Sequence, residues 1–263
     1  MAKYGMVIDL HKCTSCGACG MGCKTENNTD DPSDGQTFNW ADFYNQMDGV
    51  FPNVFFKALP VLCNHCTDAP CVDVCPVTPK AMYKKENGIT MHNQERCIGC
   101  RQCQDACPYS SMDVNEEKTQ YSVISFNEFG KTVHATYQDN TELIKGITTS
   151  GAEIAKKSGS IPPHATKYEH PDYNHVRSDG VVEKCILCDH RLANGQQPTC
   201  VVVCPAEARI VGDFDNPDSE VSKLLKQYGS RRLEGNNGEF LAAHESGLEP
   251  NVHYIRTYSV RER

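Results

Sequence analysis

The chain has 263 residues, which is enough for one large domain or two modest ones. Its 26 Lys and Arg residues against 34 Asp and Glu residues give a net charge of −8, which argues against a nucleic-acid-binding protein because such proteins carry a basic surface. No apolar run approaches the roughly 18 residues of a membrane-spanning helix, and no secretory signal peptide is visible at the N-terminus. We therefore expect neither a membrane span nor an export signal on this chain.

Sixteen cysteines, about 6% of the chain, fall into four runs of four with none left over. The runs are Cys13, Cys16, Cys19 and Cys23 (run I), Cys63, Cys66, Cys71 and Cys75 (run II), Cys97, Cys100, Cys103 and Cys107 (run III), and Cys185, Cys188, Cys200 and Cys204 (run IV). A proline follows the last cysteine of every run except run I, in which Lys24 follows. The spacing is typical of [4Fe–4S] proteins, because a short loop can bind three irons of a cubane while the fourth ligand arrives from another direction. We predict four [4Fe–4S] clusters.

Two other uses of cysteine fit the sequence less well. Disulfides suit an even number of cysteines, but closely spaced triplets are poor disulfide frameworks and no signal peptide indicates an oxidising compartment. Structural zinc is the stronger alternative, because Cys-x-x-Cys pairs also bind Zn²⁺, and run IV alone resembles such a site. Runs I and III fit a cubane better than a zinc site.

The pairing of the runs follows from their order. In two-cluster ferredoxins the fourth cysteine of each run ligates the other cluster. Runs II and III are closest along the chain, and their linker predicts a hairpin of 81–84 with 89–91 around Asn87-Gly88. By elimination, run I pairs with run IV. The predicted ligand sets are Cys13, Cys16, Cys19 and Cys204 (site 1), Cys23, Cys185, Cys188 and Cys200 (site 2), Cys63, Cys66, Cys71 and Cys107 (site 3), and Cys75, Cys97, Cys100 and Cys103 (site 4).

Outside the cysteine runs the sequence predicts a few local elements. They are a strand over 4–10, its partner strand at 208–211, a hairpin of 121–129 with 131–137, a helix from Asn216 to Gly229, and a strand at 252–255. The polar patch Asp189-His190-Arg191 lies beside Cys188, and we expect it to tune or shield a cluster through hydrogen bonds. No nucleophile–base set, phosphate-binding glycine loop or dinucleotide motif appears, so we expect no catalytic site on this chain.

Six short segments in and beside the cysteine runs match the pattern of a known family. They are Met6-Val7-Ile8-Asp9, Lys24-Thr25-Glu26-Asn27, Cys63-Asn64-His65-Cys66, Cys97-Ile98-Gly99-Cys100, Lys184-Cys185 and Cys188-Asp189-His190-Arg191. In these segments the sequence resembles the four-cluster electron-transfer subunit of the DMSO reductase superfamily, in particular the β subunits of respiratory arsenate, polysulfide and tetrathionate reductases. The similarity covers residues 4–108 and 181–228.

The resemblance implies an α+β fold of two bacterial-ferredoxin-like units related by pseudo-twofold symmetry, with an inserted variable segment and a C-terminal extension. The implied parts are an outer unit of 1–62 with 181–228, an inner unit of 63–108, an insertion of 109–180 and an extension of 229–263.

The resemblance also implies partners. They are a molybdopterin-containing catalytic subunit and a membrane anchor that exchanges electrons with quinone, so the chain would relay electrons in a respiratory complex. The implied location is peripheral to the cytoplasmic membrane, on its periplasmic face, through export with a partner that carries a twin-arginine signal. The alternative is a soluble polyferredoxin-like carrier, or a subunit of a cytoplasmic, non-respiratory oxidoreductase.

Overall fold

The fold mixes short helices with small sheets. The computed structural model describes residues 2–27, 29, 35–110, 122–129, 157, 179–233, 240–242 and 247–258. Its helices are α1 (Ala18–Asn27), α2 (Pro70–Asp73), α3 (Gln102–Asp105), α4 (Asp189–Leu192), α5 (Thr199–Val202) and α6 (Glu220–Tyr228). Its strands are β1 (Tyr4–Asp9), β2 (Ala41–Val50), β3 (Asn53–Leu62), β4 (Met82–Lys84), β5 (Thr90–His92), β6 (Ile124–Phe126), β7 (Val182–Lys184), β8 (Arg209–Asp213), β9 (Arg231–Leu233), β10 (Phe240–Ala242) and β11 (Val252–Ile255).

The largest sheet joins segments from both halves of the chain. Its strand order is β10-β9-β11-β1-β8, with β1 antiparallel to β8 and parallel to β11. The centre of β1 is apolar on both faces, and Met6, Val7 and Ile8 are fully buried, as is usual for a strand covered on both sides. The predicted pairing of β1 with the segment after Pro205 and the predicted strand at 252–255 are confirmed.

Three two-stranded sheets complete the sheets of the described residues. The predicted hairpin between runs II and III is confirmed, and β4 pairs with β5. The longest hairpin, β2 with β3, was not predicted; Leu59 and Leu62 are buried near its base, whereas Phe51 at its tip is 88% exposed. Strand β6 pairs with β7, and the other half of the hairpin predicted around Gly130 lies outside the described residues.

The last long helix begins later than predicted. Asn216 does not cap it; its Oδ1 accepts a hydrogen bond from Asp218 N at 2.9 Å and closes a local turn. Ser219 is the N-cap, and its Oγ accepts a hydrogen bond from Ser222 N at 3.2 Å. The predicted end at Gly229, which has φ 66, is confirmed. Over the part of the chain that is described, no helix combines the length and apolar character needed to cross a membrane.

Candidate iron–sulfur cluster sites

Site 1 forms where the ends of two neighbouring strands meet. Because β1 runs antiparallel to β8 with Ile8 opposite Arg209, the loop after β1 lies beside the turn before β8. These segments carry the first three cysteines of run I and the last of run IV. They line a cavity of about 340 Å³, and the cysteines in its wall are Cys13, Cys16, Cys19 and Cys204.

Site 4 is built in the same way around the inner hairpin. Met82 of β4 lies opposite His92 of β5, so the segment before the hairpin and the segment after it are neighbours. Met82 N donates a hydrogen bond to Cys75 Sγ at 3.5 Å. The cavity here is about 320 Å³, and its cysteines are Cys75, Cys97, Cys100 and Cys103.

Site 3 lies deeper, between the inner hairpin and β6. Its cavity is about 360 Å³, and Thr90, Val123 and Ile124 contribute to the wall. Its cysteines are Cys63, Cys66, Cys71 and Cys107, all of them buried. Burial raises the pKa of the Cys71 thiol to about 12, and the thiolates of Cys63 and Cys107 add to the rise. Protonated thiols of this kind become thiolates only when a metal binds them.

Site 2 joins the first helix to run IV. Cys23 in α1 is buried, and its pKa lies well above the ordinary value because of burial and the nearby thiolates of Cys185, Cys200 and Cys188. Asn27, one turn further along α1, points its amide at the same place: its Nδ2 lies 3.4 Å from Cys23 Sγ and 3.9 Å from Cys188 Sγ. The structure thus brings together all four cysteines predicted for this site.

One backbone turn recurs in all four runs. The residue before the second cysteine of each run has a positive φ, which turns the loop around its first sulfur. These residues are Ser15 (φ 55), His65 (φ 44), Gly99 (φ 69) and Leu187 (φ 51). In two runs the turn aims a backbone N–H at the first thiol, with His65 N 3.5 Å from Cys63 Sγ and Leu187 N 3.4 Å from Cys185 Sγ. Three of the four are not glycine, so each such turn costs about 1 kcal/mol that a bound cluster would offset.

Buried polar atoms without partners face the cavities. In site 3, the Asn64 side chain and Thr90 Oγ1 have no hydrogen-bond partner among the described residues, nor has His65 Nε2. His65 is neutral, because burial and the ammonium of Lys184 hold its pKa well below the ordinary value. Its Nδ1 accepts from Thr90 N at 3.2 Å, so the ring proton is on Nε2. Burying such groups is costly unless a partner binds them, and the sulfurs of a cluster are acceptors.

The same observation holds at sites 1 and 4. Nη2 of Arg209 and both ring nitrogens of His92 are buried and lack a hydrogen-bond partner within the described ranges. Arg209 lines the cavity of site 1 and His92 that of site 4. Burial lowers the pKa of His92 to about 3, so it is neutral and has one N–H to donate. Four thiols and at least one unpaired donor at each cavity fit a [4Fe–4S] cluster.

The cysteines are not arranged around single ions. Among the residues that the structure describes, no group of three or more His, Cys, Asp or Glu side chains has the arrangement of a single metal site. A structural Zn²⁺ gathers four ligands around one ion, whereas each thiolate of a cubane binds a different iron and lies farther from the others.

The polar patch beside Cys188 holds other elements in place. Glu26 of α1 accepts hydrogen bonds from His190 Nε2 at 2.9 Å, Arg191 Nη1 at 3.1 Å and Thr199 Oγ1 at 2.8 Å. Asp189 forms an ion pair of 2.8 Å with Lys85 of the inner hairpin. These contacts link α1 to run IV, and run IV to the inner hairpin, around site 2.

Neighbouring sites are coupled in a fixed order. At each junction, burial raises the pKa of one thiol, and the charge of a thiolate of the next site raises that pKa further. The pairs are Cys103 with Cys71, Cys185 with Cys63, and Cys200 with Cys19. The order is therefore 4, 3, 2, 1. All cysteines of sites 2 and 3 are buried, whereas Cys100 of site 4 and Cys16 of site 1 are exposed.

Comparison with known proteins identifies the family. Residues 54–126 and 132–214 each match the 4Fe–4S dicluster domain, and the two matches span more than half of the chain. The chain belongs to this family. The dicluster domain is thus present twice in a fold of mixed helices and strands.

Relatives of the dicluster family are similar over nearly the whole chain. The arsenate respiratory reductase iron–sulfur subunit ArrB of Shewanella sp. (strain ANA-3) is 41% identical, with 98% of each chain covered. The menaquinone reductase iron–sulfur cluster-binding subunit of Nitratidesulfovibrio vulgaris is 33% identical, covering 96% of this chain and 88% of its own. A selenate reductase subunit of Mesobacillus selenatarsenatis is 31% identical, covering 96% and 72%.

These relatives confirm the resemblance found in the sequence. The chain is an iron–sulfur β subunit of the molybdopterin oxidoreductase type, with four [4Fe–4S] clusters, and its role is electron transfer rather than catalysis. The positions of Asn27, Arg209 and His92 at the cluster sites were not predicted from the sequence. No local pattern marks them, because their proximity to sulfur depends on the tertiary fold.

Proposed function

We propose that the chain is an electron relay in which the clusters of sites 4, 3, 2 and 1 stand in line between two partner proteins. The observation that carries the proposal is the burial pattern: the two middle sites are enclosed, and each terminal site has one exposed cysteine, Cys100 or Cys16. Bound [4Fe–4S] clusters supply one-electron transfer. The protein holds each cluster through the ligand set predicted from the sequence, and excludes water from the middle two.

The two terminal sites have surfaces suited to docking. Met21, two residues after Cys19, and Val202, two residues before Cys204, are exposed large apolar residues near ligands of site 1. Val74 and Ile98 are exposed beside Cys75 and Cys97 of site 4. Exposed apolar side chains around a redox centre are suited to a protein partner. One partner is a molybdopterin catalytic subunit, and the other is a membrane anchor that exchanges electrons with quinone.

The proposal extends to domain organisation. The outer unit comprises 1–62 and 181–228, and the inner unit comprises 63–108, with pseudo-twofold symmetry between them. The recurring positive φ in all four runs supports an equivalence between the units. Residues 109–180 are an insertion and residues 229–263 an extension, and we propose that both shape the contacts with partners.

The complex lies at the periplasmic face of the cytoplasmic membrane, which protease treatment of spheroplasts tests directly.

The relay is tested in the whole complex. Cys16→Ser and Cys100→Ser each remove a ligand from a terminal site, and each is expected to reduce quinone-linked substrate turnover at least tenfold. Dye-linked activity of the catalytic subunit is expected to survive in at least one of them. Lys223→Met, an exposed change in α6, serves as the control and leaves both activities unchanged. Turnover of substrate by this chain alone, free of any pterin subunit, would refute the proposal.

A further inference from the structure

Two cations are buried in the region of the cluster sites. The side chain of Lys184 is 0% exposed and that of Arg209 is 3% exposed. Among the described residues, neither forms an ion pair with a carboxylate. A buried cation without a negative partner is costly, so its presence indicates that negative charge lies nearby in the loaded protein.

Arg209 lies between sites 1 and 2. It forms part of the cavity wall of site 1, and its Nη1 donates to Met6 Sδ at 3.8 Å. On the other side, β8, which begins at Arg209, packs against α5, the helix that carries Cys200 of site 2. A guanidinium is always charged in proteins, so this position carries a permanent positive charge.

Lys184 lies between sites 2 and 3. Its Nζ donates hydrogen bonds to the carbonyl oxygens of Thr90 at 2.5 Å and Cys185 at 2.7 Å, which hold the side chain in one position. Cys185 belongs to site 2, whereas Thr90 lines the cavity of site 3 together with Lys184 itself. The ammonium has three donors, of which these carbonyls use two.

We propose that Arg209 and Lys184 are junction cations: Arg209 raises the reduction potentials of clusters 1 and 2, and Lys184 raises those of clusters 2 and 3. The proposal rests on the ligand sets proposed above. An oxidised cluster with its four thiolates carries a charge of about −2, and accepting one electron makes it about −3. A fixed positive charge nearby favours the more negative form, and it does so strongly where water is excluded.

The position at a junction has a second effect. Two neighbouring reduced clusters repel each other, and a cation between them attracts both. Each junction cation therefore makes it easier for an electron to arrive at a cluster whose neighbour is already reduced. Cluster 2 adjoins both cations, and cluster 4 adjoins neither of them, so the four clusters differ in how they respond to the loss of each charge.

The test is a redox titration of the holo chain, in its complex, followed by electron paramagnetic resonance (EPR). Arg209→Met is expected to lower the potentials of clusters 1 and 2, and Lys184→Met those of clusters 2 and 3. The expected change is at least tenfold in the equilibrium constant for reduction, which is about 59 mV for one electron. Cluster 4, whose cavity wall contains neither cation, is expected to shift least in both variants. Arg209→Lys and Lys184→Arg retain the charge and are expected to restore most of the potential.

Further variants distinguish a failure of this proposal from a failure of the proposed ligand sets. Serine variants of Cys23, Cys204, Cys107 and Cys75 assign each EPR signal to its cluster, and an assignment that differs from the proposed sets refutes those sets alone. Arg209→Gln and Lys184→Gln remove the charge while retaining a donor, and they decide the question if the methionine variants lose iron. Lys223→Met removes an exposed lysine from α6, and it is the control for the loss of a positive charge at the surface. Unchanged potentials in fully loaded charge-free variants, or an equal shift of all four clusters, would overturn the proposal.

Discussion

The side-chain amide of Asn27 lies 3.9 Å from the sulfur of Cys188, although 161 residues separate the two in the chain. The same Nδ2 donates to Cys23 O at 3.2 Å, which holds the amide against the last turn of α1 on the side that faces Cys188. Hydrogen bonds to cluster sulfurs stabilise the reduced form and raise the potential. The first and fourth runs thus meet through a polar contact as well as through their thiols.

Cys23→Ser is expected to alter the cluster held by Cys185, Cys188 and Cys200, because site 2 takes its fourth ligand from α1. EPR spectra of the reduced variant should show one signal lost or converted and three retained, with a matching loss of iron. Cys204→Ser is the reciprocal control, since it should affect only the cluster of site 1. If Cys23→Ser changed the signal that Cys204→Ser also changes, the nested pairing would be wrong.

Glu26→Gln is expected to destabilise the contact between α1 and run IV. The Glu26 carboxylate receives hydrogen bonds from three side chains in a nearly enclosed position, and weakening this network costs about 2 kcal/mol. The thermal midpoint of the holo chain should fall by about 5 °C, with cluster 2 lost first on heating. Glu86→Gln, in an exposed turn, should leave the midpoint unchanged, and equal effects of both variants would contradict the prediction.

Iron removal is expected to unfold much of the chain. Four cubanes contain about sixteen iron and sixteen sulfide per chain, and the apoprotein would bury protonated thiols and unpaired donors in place of the clusters. Circular dichroism before and after anaerobic chelation, with iron and sulfide assays, measures both quantities. Stoichiometric zinc in the native protein, or an apoprotein that keeps its thermal transition, would argue against this account.

His253 is expected to make stability fall in acid. Burial, together with Arg232 and Lys3, lowers its pKa from 6.5 to about 3 in the folded chain. Between these values the unfolded chain binds a proton that the folded chain does not, so stability decreases as the pH falls below 6.5, by about 1.4 kcal/mol per unit. Urea unfolding at pH 7.5 and 5.5 should show a smaller loss for His253→Gln than for the unmodified chain. The exposed His11→Gln should not change the difference.

The local features of the fold were predictable from sequence, because short-range chemistry determines them. A turn at Asn87-Gly88 between apolar runs predicted β4 and β5. The predicted start of α6 was wrong by a few residues. Asn216 and Ser219 are both good N-cap residues, and the choice between them depends on the turn that Asp218 closes.

Long-range relationships could not be predicted. The parallel pairing of β11 with β1 joins residues from opposite ends of the chain, and no local pattern specifies it. Arg209 and Lys184 look like ordinary surface cations in the sequence, and only the fold shows that they are buried between the cluster sites. The long hairpin of β2 and β3 was missed because its strands do not alternate regularly between apolar and polar residues.

The pairing of β1 with β11 has a consequence for biosynthesis. Runs II and III, with their hairpin, leave the ribosome well before Val252–Ile255 are made, whereas β1 waits for its second neighbour until those residues have been synthesised. We expect the inner pair of clusters to be inserted into the nascent chain first, and the outer pair only after β11 has been made. Iron bound to ribosome-stalled chains that end near residue 245, which contain all four runs but lack β11, would measure this order, and more than two clusters on such chains would exclude it.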